Sequence, residues 1–272
     1  MHSLIDAALE VSLPVSALAG SEALNEAIRS AVYPGGKRMR PLFTLLAARS
    51  AQVDPTAALD AACAVELLHC SSLIFDDLPC MDDADLRRNR PAVHLLFGES
   101  VALLAGLALM NQAYALFASS PRLVREAAAC IGVNGMIGGQ AVDMRGAMMG
   151  ADLESRSRKT SALMRLTLMA GAEAGGAPAA SVELLADCGE RLGRAYQMLD
   201  DLLDRSDASG KTAAQDDRHN RAAWHVSREA ILAEVAECAG RLTDRFGDAA
   251  EPLVSAIGCV FARLEEARLV AA

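Results

Sequence analysis

Five carboxylates, Asp76, Asp77, Asp82, Asp83 and Asp85, stand within ten residues, and Arg87, Arg88 and Arg90 follow at once. Carboxylates this close repel one another, and a fold keeps them ionised only where water or bound cations offset the repulsion. The run follows the apolar Leu73-Ile74-Phe75 and contains Pro79, so it belongs at the end of a helix rather than along a solvated face. Oxygen-only ligation suits a hard ion such as Mg²⁺, which is held through one or two carboxylates plus substrate phosphates. A guanidinium fork matches phosphate oxygens, so metal donors on one side and arginines on the other describe a diphosphate site.

The remainder of the chain reads as helix. Hydrophobic residues make up 52% of the 272 positions and aromatic ones only 4%, with Ala and Leu abundant, which favours helices over sheets. Prolines and glycines are not gathered into a linker, so residues 1–272 are expected to form one all-α domain. Helical spacing runs through residues 4–32 as two helices parted near Pro14, then through 42–51, 57–75, 93–118, 124–146, 155–171, 181–204, 229–242 and 252–270. No strand-like alternation is visible. The most apolar stretch, 101–118, is interrupted by Asn111, Gln112 and Tyr114, and is expected as a buried core helix with no membrane span. A net charge of −9 argues against nucleic acid as a partner. The seven cysteines form no Cys-x-x-Cys pair and no zinc spacing, and the first residues lack a signal-peptide layout, so reduced thiols and a cytoplasmic setting are expected.

Other polar groups gain meaning from their positions. In Tyr33-Pro34-Gly35-Gly36-Lys37-Arg38-Met39-Arg40-Pro41, two glycines allow close backbone approach and three cations follow, a turn suited to an anion. It lacks the frame of a Walker loop. Glu66 and His69 stand in apolar surroundings, and His69 lies about two turns ahead of the aspartates. Taken singly, a histidine on an apolar helix is more often a satisfied core residue than a ligand. Gly138 and Gly139 precede Gln140 and Asp143 inside a helix, where each glycine costs roughly 1 kcal/mol relative to Ala, so a ligand or a neighbouring helix approaches closely there. Lys159-Thr160 says little by itself. At the end of 181–204, Asp200 and Asp204 share one helix face with Asp201 beside them; the repulsion destabilises a bare helix, and a bridging cation reverses its sign. The polar, glycine-containing 206–221 reads as a lid loop beside an acidic site.

Two aspartate clusters on helices, the Gly-Gly-Lys-Arg-Met-Arg-Pro turn and the Arg87-Arg88 pair together resemble the trans-isoprenyl diphosphate synthases, or polyprenyl synthetases. The similarity spans about residues 35–221, with the motifs in family order, and is strongest toward the bacterial geranylgeranyl diphosphate synthases through 76–88; farnesyl diphosphate synthases are near. The resemblance implies the isoprenoid synthase fold, a helical bundle around a central cavity, as a homodimer. It implies that Asp76, Asp77 and Asp82, with Asp200, Asp201 and Asp204, bind Mg²⁺, three ions per active site, bridging to an allylic diphosphate. Arg87, Lys159, Gln197 and Lys211 would hold that diphosphate, whether of a dimethylallyl, geranyl or farnesyl chain. Lys37, Arg40, His69 and Arg88 would hold isopentenyl diphosphate. Thr160 and Gln140 would line the path of the allylic cation and Asp143 support the polar wall, with no side-chain base needed.

The chain departs from the family pattern at Asn89 for glycine, Ala92 for threonine, Gln215 for lysine and Arg221 and Ala223 for lysine and threonine, all outside the metal aspartates. Product length is a steric matter: side chains about one turn before Asp76 would act as the floor of the cavity. Ser71 and Ser72 are small, which fits geranylgeranyl diphosphate as product, with farnesyl diphosphate the competitor. A terpene cyclase would normally lack the second aspartate motif and the Gly-Gly-Lys-Arg-Met-Arg turn. A non-catalytic subunit of a heteromeric synthase should have lost metal aspartates, yet all six are present.

Overall fold

The computed structural model describes residues 1–145, 153–204 and 227–269, and these are almost entirely helical. Three helices, α1 (His2–Ser12), α2 (Glu22–Val32) and α3 (Met39–Ser50), lead to α4 (Leu59–Asp76), which a 3₁₀ turn (Pro55–Ala58) introduces. Asp54 caps that turn, its side chain accepting from the Thr56 amide at 2.9 Å. α4 stops at Asp77, two residues before Pro79, so the apolar helix delivers its aspartates at an end, as the sequence implies.

A two-residue ribbon follows, β1 (Leu86–Arg87) against β2 (Arg90–Pro91), antiparallel. The sequence shows no alternation here because the ribbon is too short to need any. Its two loop residues, Arg88 and Asn89, have φ of 55° and 59°. Asparagine tolerates that left-handed backbone better than most residues, which accounts for Asn89 standing where glycine is usual. Ala92 N-caps the next helix without a side-chain bond, a job threonine performs better.

Two helices expected from periodicity are each divided. The 93–118 stretch breaks at Gly98, with φ 82°, into α5 (Val93–Phe97) and α6 (Glu99–Phe117). The 124–146 stretch breaks near Gly132 and Gly135 into α7 (Pro121–Ile131), capped by Ser120, and α8 (Met136–Arg145). α9 (Leu153–Ala174), α10 (Ala179–Asp204), α11 (Arg228–Phe246) and α12 (Glu251–Leu269) complete the bundle.

α9 is the shared strut, packing against α3, α4, α7, α8 and α10. Glycines let its neighbours come close. A Cβ at Gly139 of α8 would lie 2.3 Å from the Lys159 amide nitrogen, and one at Gly193 of α10 would lie 2.6 Å from Ser161 Cα. On its other flank Gly171 meets the Thr44 carbonyl, while Thr44 Oγ1 donates to the Thr167 carbonyl at 2.9 Å. The core itself is largely alanine, leucine and cysteine; all seven cysteines are free thiols, five of them buried.

Among the described residues, two segments, Pro55–Asp76 and Glu99–Phe117, are long and apolar enough to cross a membrane by length and composition alone. α4 is covered on nearly all sides. α6 is not the fully buried core helix that its sequence suggests: Ala102, Ala105, Leu109 and Ala113 face inward, but Leu103, Leu104 and Leu107 stay exposed.

Candidate active site

Two cavities meet at Arg40 of α3 and His69 of α4, which line both. The first, of about 440 Å³, has Asp76, Lys159 and Thr160 at its polar end and Met136, Ile137 and Leu163 in its apolar part. Lys159 Nζ lies 3.5 Å from Asp76 Oδ2 and 4.0 Å from Asp143 Oδ2, so α8 and α9 bring a cation to the carboxylate ending α4. Burial raises the Asp76 carboxyl above the usual range; Lys159 opposes this and Asp82 adds to it. Thr160 Oγ1 donates to Gln197 Oε1 at 2.8 Å, tying α9 to α10 one turn before Asp200. Gln140 is buried on the cavity wall, and neither amide atom has a hydrogen-bond partner among the described residues.

The second cavity, about 570 Å³, carries Lys37, Arg40, Arg88 and Arg263 around His69. Burial, then the charges of Arg40, Arg88, Arg87 and Arg38, hold the His69 imidazole well below the usual histidine range, so it is neutral at pH 7. Arg40 is buried at Nε without a partner among the described residues, an orphaned donor that an anion in the cavity would satisfy. Both glycines of the turn have steric reasons. A Cβ on Gly35 would run into the Arg38 guanidinium at 2.2 Å, and one on Gly36 would press on Arg88 at 3.1 Å.

Of the site residues named from the sequence, Ser72, Asp76, Lys159 and Thr160 line the first cavity, Lys37 and Arg88 the second and Arg40 and His69 both, and two others differ in detail. Asp77, expected as a metal ligand, is buried and joined to Arg87, whose Nε donates to its Oδ1 at 2.9 Å with Nη2 reaching the same oxygen. Ser71, expected in the cavity floor, instead faces α6, its Oγ donating to the Gly106 carbonyl at 2.9 Å. Ser72 and Phe75 line the cavity. The backbone of Asp201 and Asp204 continues α10, but their side chains lie outside the described residues, as do Lys211, Gln215, Arg221, Ala223 and the proposed lid. Glu66 is the site residue whose role the sequence left open: its Oε1 accepts from Arg38 at 2.8 Å. Its position in an apolar helix was the signal, and its partner lies 28 residues away.

The donor set suits Mg²⁺. Asp76 is a half-buried carboxylate pressed by Asp82, a repulsion that a divalent ion would relieve, and an ion that also takes phosphate oxygens needs few protein ligands. Among the described residues no group of three or more His, Cys, Asp or Glu side chains converges into an all-protein cage.

An all-helical bundle around a carboxylate-bearing cavity and a cationic one is the isoprenoid synthase fold. The chain belongs to the polyprenyl synthetase family, whose model matches residues 21–250. Geranylgeranyl pyrophosphate synthase 11, chloroplastic, of Arabidopsis thaliana is 37% identical over 92% of this chain and 77% of its own length. Farnesyl diphosphate synthase of Geobacillus stearothermophilus is likewise 37% identical, over 77% of this chain and 76% of its own. Other plant relatives are longer, and the match covers 64% of geranylgeranyl pyrophosphate synthase 9 of Arabidopsis thaliana. Among solved structures, an FPP/GFPP synthase from Zymomonas mobilis superposes with a TM-score of 0.79 at 33% identity, over 94% of this chain and 95% of that one.

Proposed function

We propose that the protein is a Mg²⁺-dependent prenyltransferase that joins isopentenyl diphosphate to an allylic diphosphate, dimethylallyl, geranyl or farnesyl, and ends at geranylgeranyl diphosphate. The observation that carries this is the meeting of the two cavities at Arg40 and His69, one with a carboxylate above an apolar well and one lined by cations. The allylic diphosphate belongs in the first, with its hydrocarbon chain along Met136, Ile137 and Leu163. Isopentenyl diphosphate belongs with Lys37, Arg40 and Arg88.

Lys159 sets a positive charge beside the departing diphosphate, where charge grows as the carbon–oxygen bond breaks. Asp76, Asp82 and Asp200 would hold Mg²⁺, which supplies Lewis-acid stabilisation of that same charge; Asp201 and Asp204 and a count of three ions follow from the family pattern. The Thr160–Gln197 pair fixes a polar wall along the allylic cation, and the apolar well keeps water from quenching it. The double bond of isopentenyl diphosphate then forms the new carbon–carbon bond, and one proton leaves to the departed diphosphate. Neutral His69 orients substrate by a hydrogen bond without adding charge to a wall already crowded with arginines.

A second reading, ending at farnesyl diphosphate, is favoured by Phe75, an aromatic ring in the wall of the well. We also propose that the exposed Leu103, Leu104 and Leu107 of α6 meet a second copy of the chain, as a homodimer. Incubating the purified protein with Mg²⁺, isopentenyl diphosphate and each allylic starter, then reading product length by chromatography, tests the whole. Geranylgeranyl diphosphate from the shorter starters upholds the first reading and a stop at farnesyl diphosphate the second. No product with any starter points to a non-catalytic subunit. Chelating the metal should abolish turnover, and added Mg²⁺ should restore it.

A further inference from the structure

Of the three cations in the Gly-Gly-Lys-Arg-Met-Arg turn, the middle one sits at the edge of the cationic cavity with its guanidinium held by protein groups. The Arg38 side chain is 3% exposed, and each of its three nitrogens donates to a protein group. Nη1 donates to Glu66 Oε1 on α4 at 2.8 Å, Nη2 to the Val32 carbonyl that ends α2 at 2.8 Å, and Nε to Asp6 Oδ1 on α1 at 3.1 Å. The Tyr33 ring lies 5.2 Å from the guanidinium carbon, and the Tyr33 hydroxyl donates to the Asp6 carbonyl at 3.0 Å. One planar fork thus ties three helices together. The backbone at Arg38 is left-handed, φ 48°, and only a glycine at position 35 leaves room for the folded-back guanidinium. The course of the turn follows from where that guanidinium has to go. Lys37 and Arg40, on either side, line the cationic cavity with Arg88, and the Arg38–Glu66 pair forms part of its wall.

We infer that Arg38 is a positioning residue: anchored by Glu66 and Asp6, it fixes the turn so that Lys37 and Arg40 are presented to the diphosphate of isopentenyl diphosphate, which makes α1 part of that site. This rests on the assignment of isopentenyl diphosphate to the cationic cavity. Lysine and arginine are long, freely rotating side chains, and a diphosphate held by them binds tightly only if their backbone is already in place. Glu66 has a second part in this. Its Oε2 is buried without a hydrogen-bond partner among the described residues, and its negative charge supports the charge on Arg40 against burial.

Steady-state kinetics on the full chain, with each substrate varied in turn, tests the assignment. The double variant Arg38→Met with Glu66→Met replaces the buried ion pair by apolar side chains of similar volume, an exchange that is often neutral for stability. It should raise KM for isopentenyl diphosphate by roughly tenfold to a hundredfold, as small misplacements of a binding group do, with kcat and the allylic KM close to wild type. Arg38→Lys keeps the charge but loses the fork, so it should give an intermediate rise. Gly35→Ala, which alters no charge, should reproduce the selective effect. An unchanged KM for isopentenyl diphosphate in folded variants overturns the inference, and so does an equal loss toward both substrates that tracks a lowered Tm. If the wild-type chain makes no product, calorimetric binding of isopentenyl diphosphate gives the same comparison independently of catalysis. Selective weakening in the variants then supports the role, whereas equal binding, or none by the wild type, refutes it.

Discussion

His69 is neutral in the fold and titrates as an ordinary histidine, near pH 6.5, once the chain unfolds. Its folded pKa is the lower of the two, so the unfolded chain takes up the extra proton. Its contribution to stability is complete above that value and is lost as the pH falls through it, by about 1.4 kcal/mol per pH unit for one proton. His69→Gln should remove that slope from thermal melts between roughly pH 6.5 and 5; an unaltered slope would assign the acid sensitivity to other groups. The serines offer a second test at this scale. Ser72→Phe projects into the apolar well and should shorten the product, as chromatography would report. Ser71→Phe meets Gly106 instead and breaks a buried hydrogen bond, so it should chiefly lower Tm, by overpacking worth about 1–3 kcal/mol. A shortened product from Ser71→Phe with normal stability would restore it to the floor. Residue types and order were legible in the sequence, because aspartates, cations and glycines each carry their chemistry with them. Orientation was not: Asp76 and Asp77 differ by one position, yet one faces the cavity and the other pairs with Arg87.

Helix identity could be read almost throughout, since the apolar spacing is strong and alanine is common. Helix ends could not, because 93–118 and 124–146 keep helical spacing across Gly98 and Gly132, where the backbone turns. The Gly138-Gly139 pair admitted two explanations, and for Gly139 the neighbour is α9. Gly139→Ala places a methyl against the Lys159 backbone, with helix on both sides and little freedom to yield. It should destabilise the protein by about 1–3 kcal/mol and, on the proposed placement of Lys159 beside the departing diphosphate, lower kcat more than it raises either KM. Melting curves with steady-state kinetics would check both parts, and a variant with full kcat would free Lys159 from dependence on that contact.

For the molecule as a whole, α6 shows what a single chain cannot tell about itself. Its sequence is apolar on every side, a pattern that fits complete burial, and only the fold reveals which face the chain covers. If the proposed α6 interface forms, the wild type should sediment as a dimer and Leu104→Lys as a monomer of unchanged helical content; a variant that stays dimeric would remove α6 from the interface. The strut α9 has a different consequence. Its backbone is in near contact with α3, α8 and α10 at glycine after glycine, so the frame holding Lys159 and Thr160 has almost no slack. Changes of side chain are therefore tolerated unequally across the cavity. Side chains lining the well, such as Ser72, Phe75 and Ile137, do not carry these backbone contacts, so substitutions there alter the space of the well without disturbing the frame. A close-packed frame with an adjustable mould beneath it separates the part of the cavity that resists substitution from the part that accepts it.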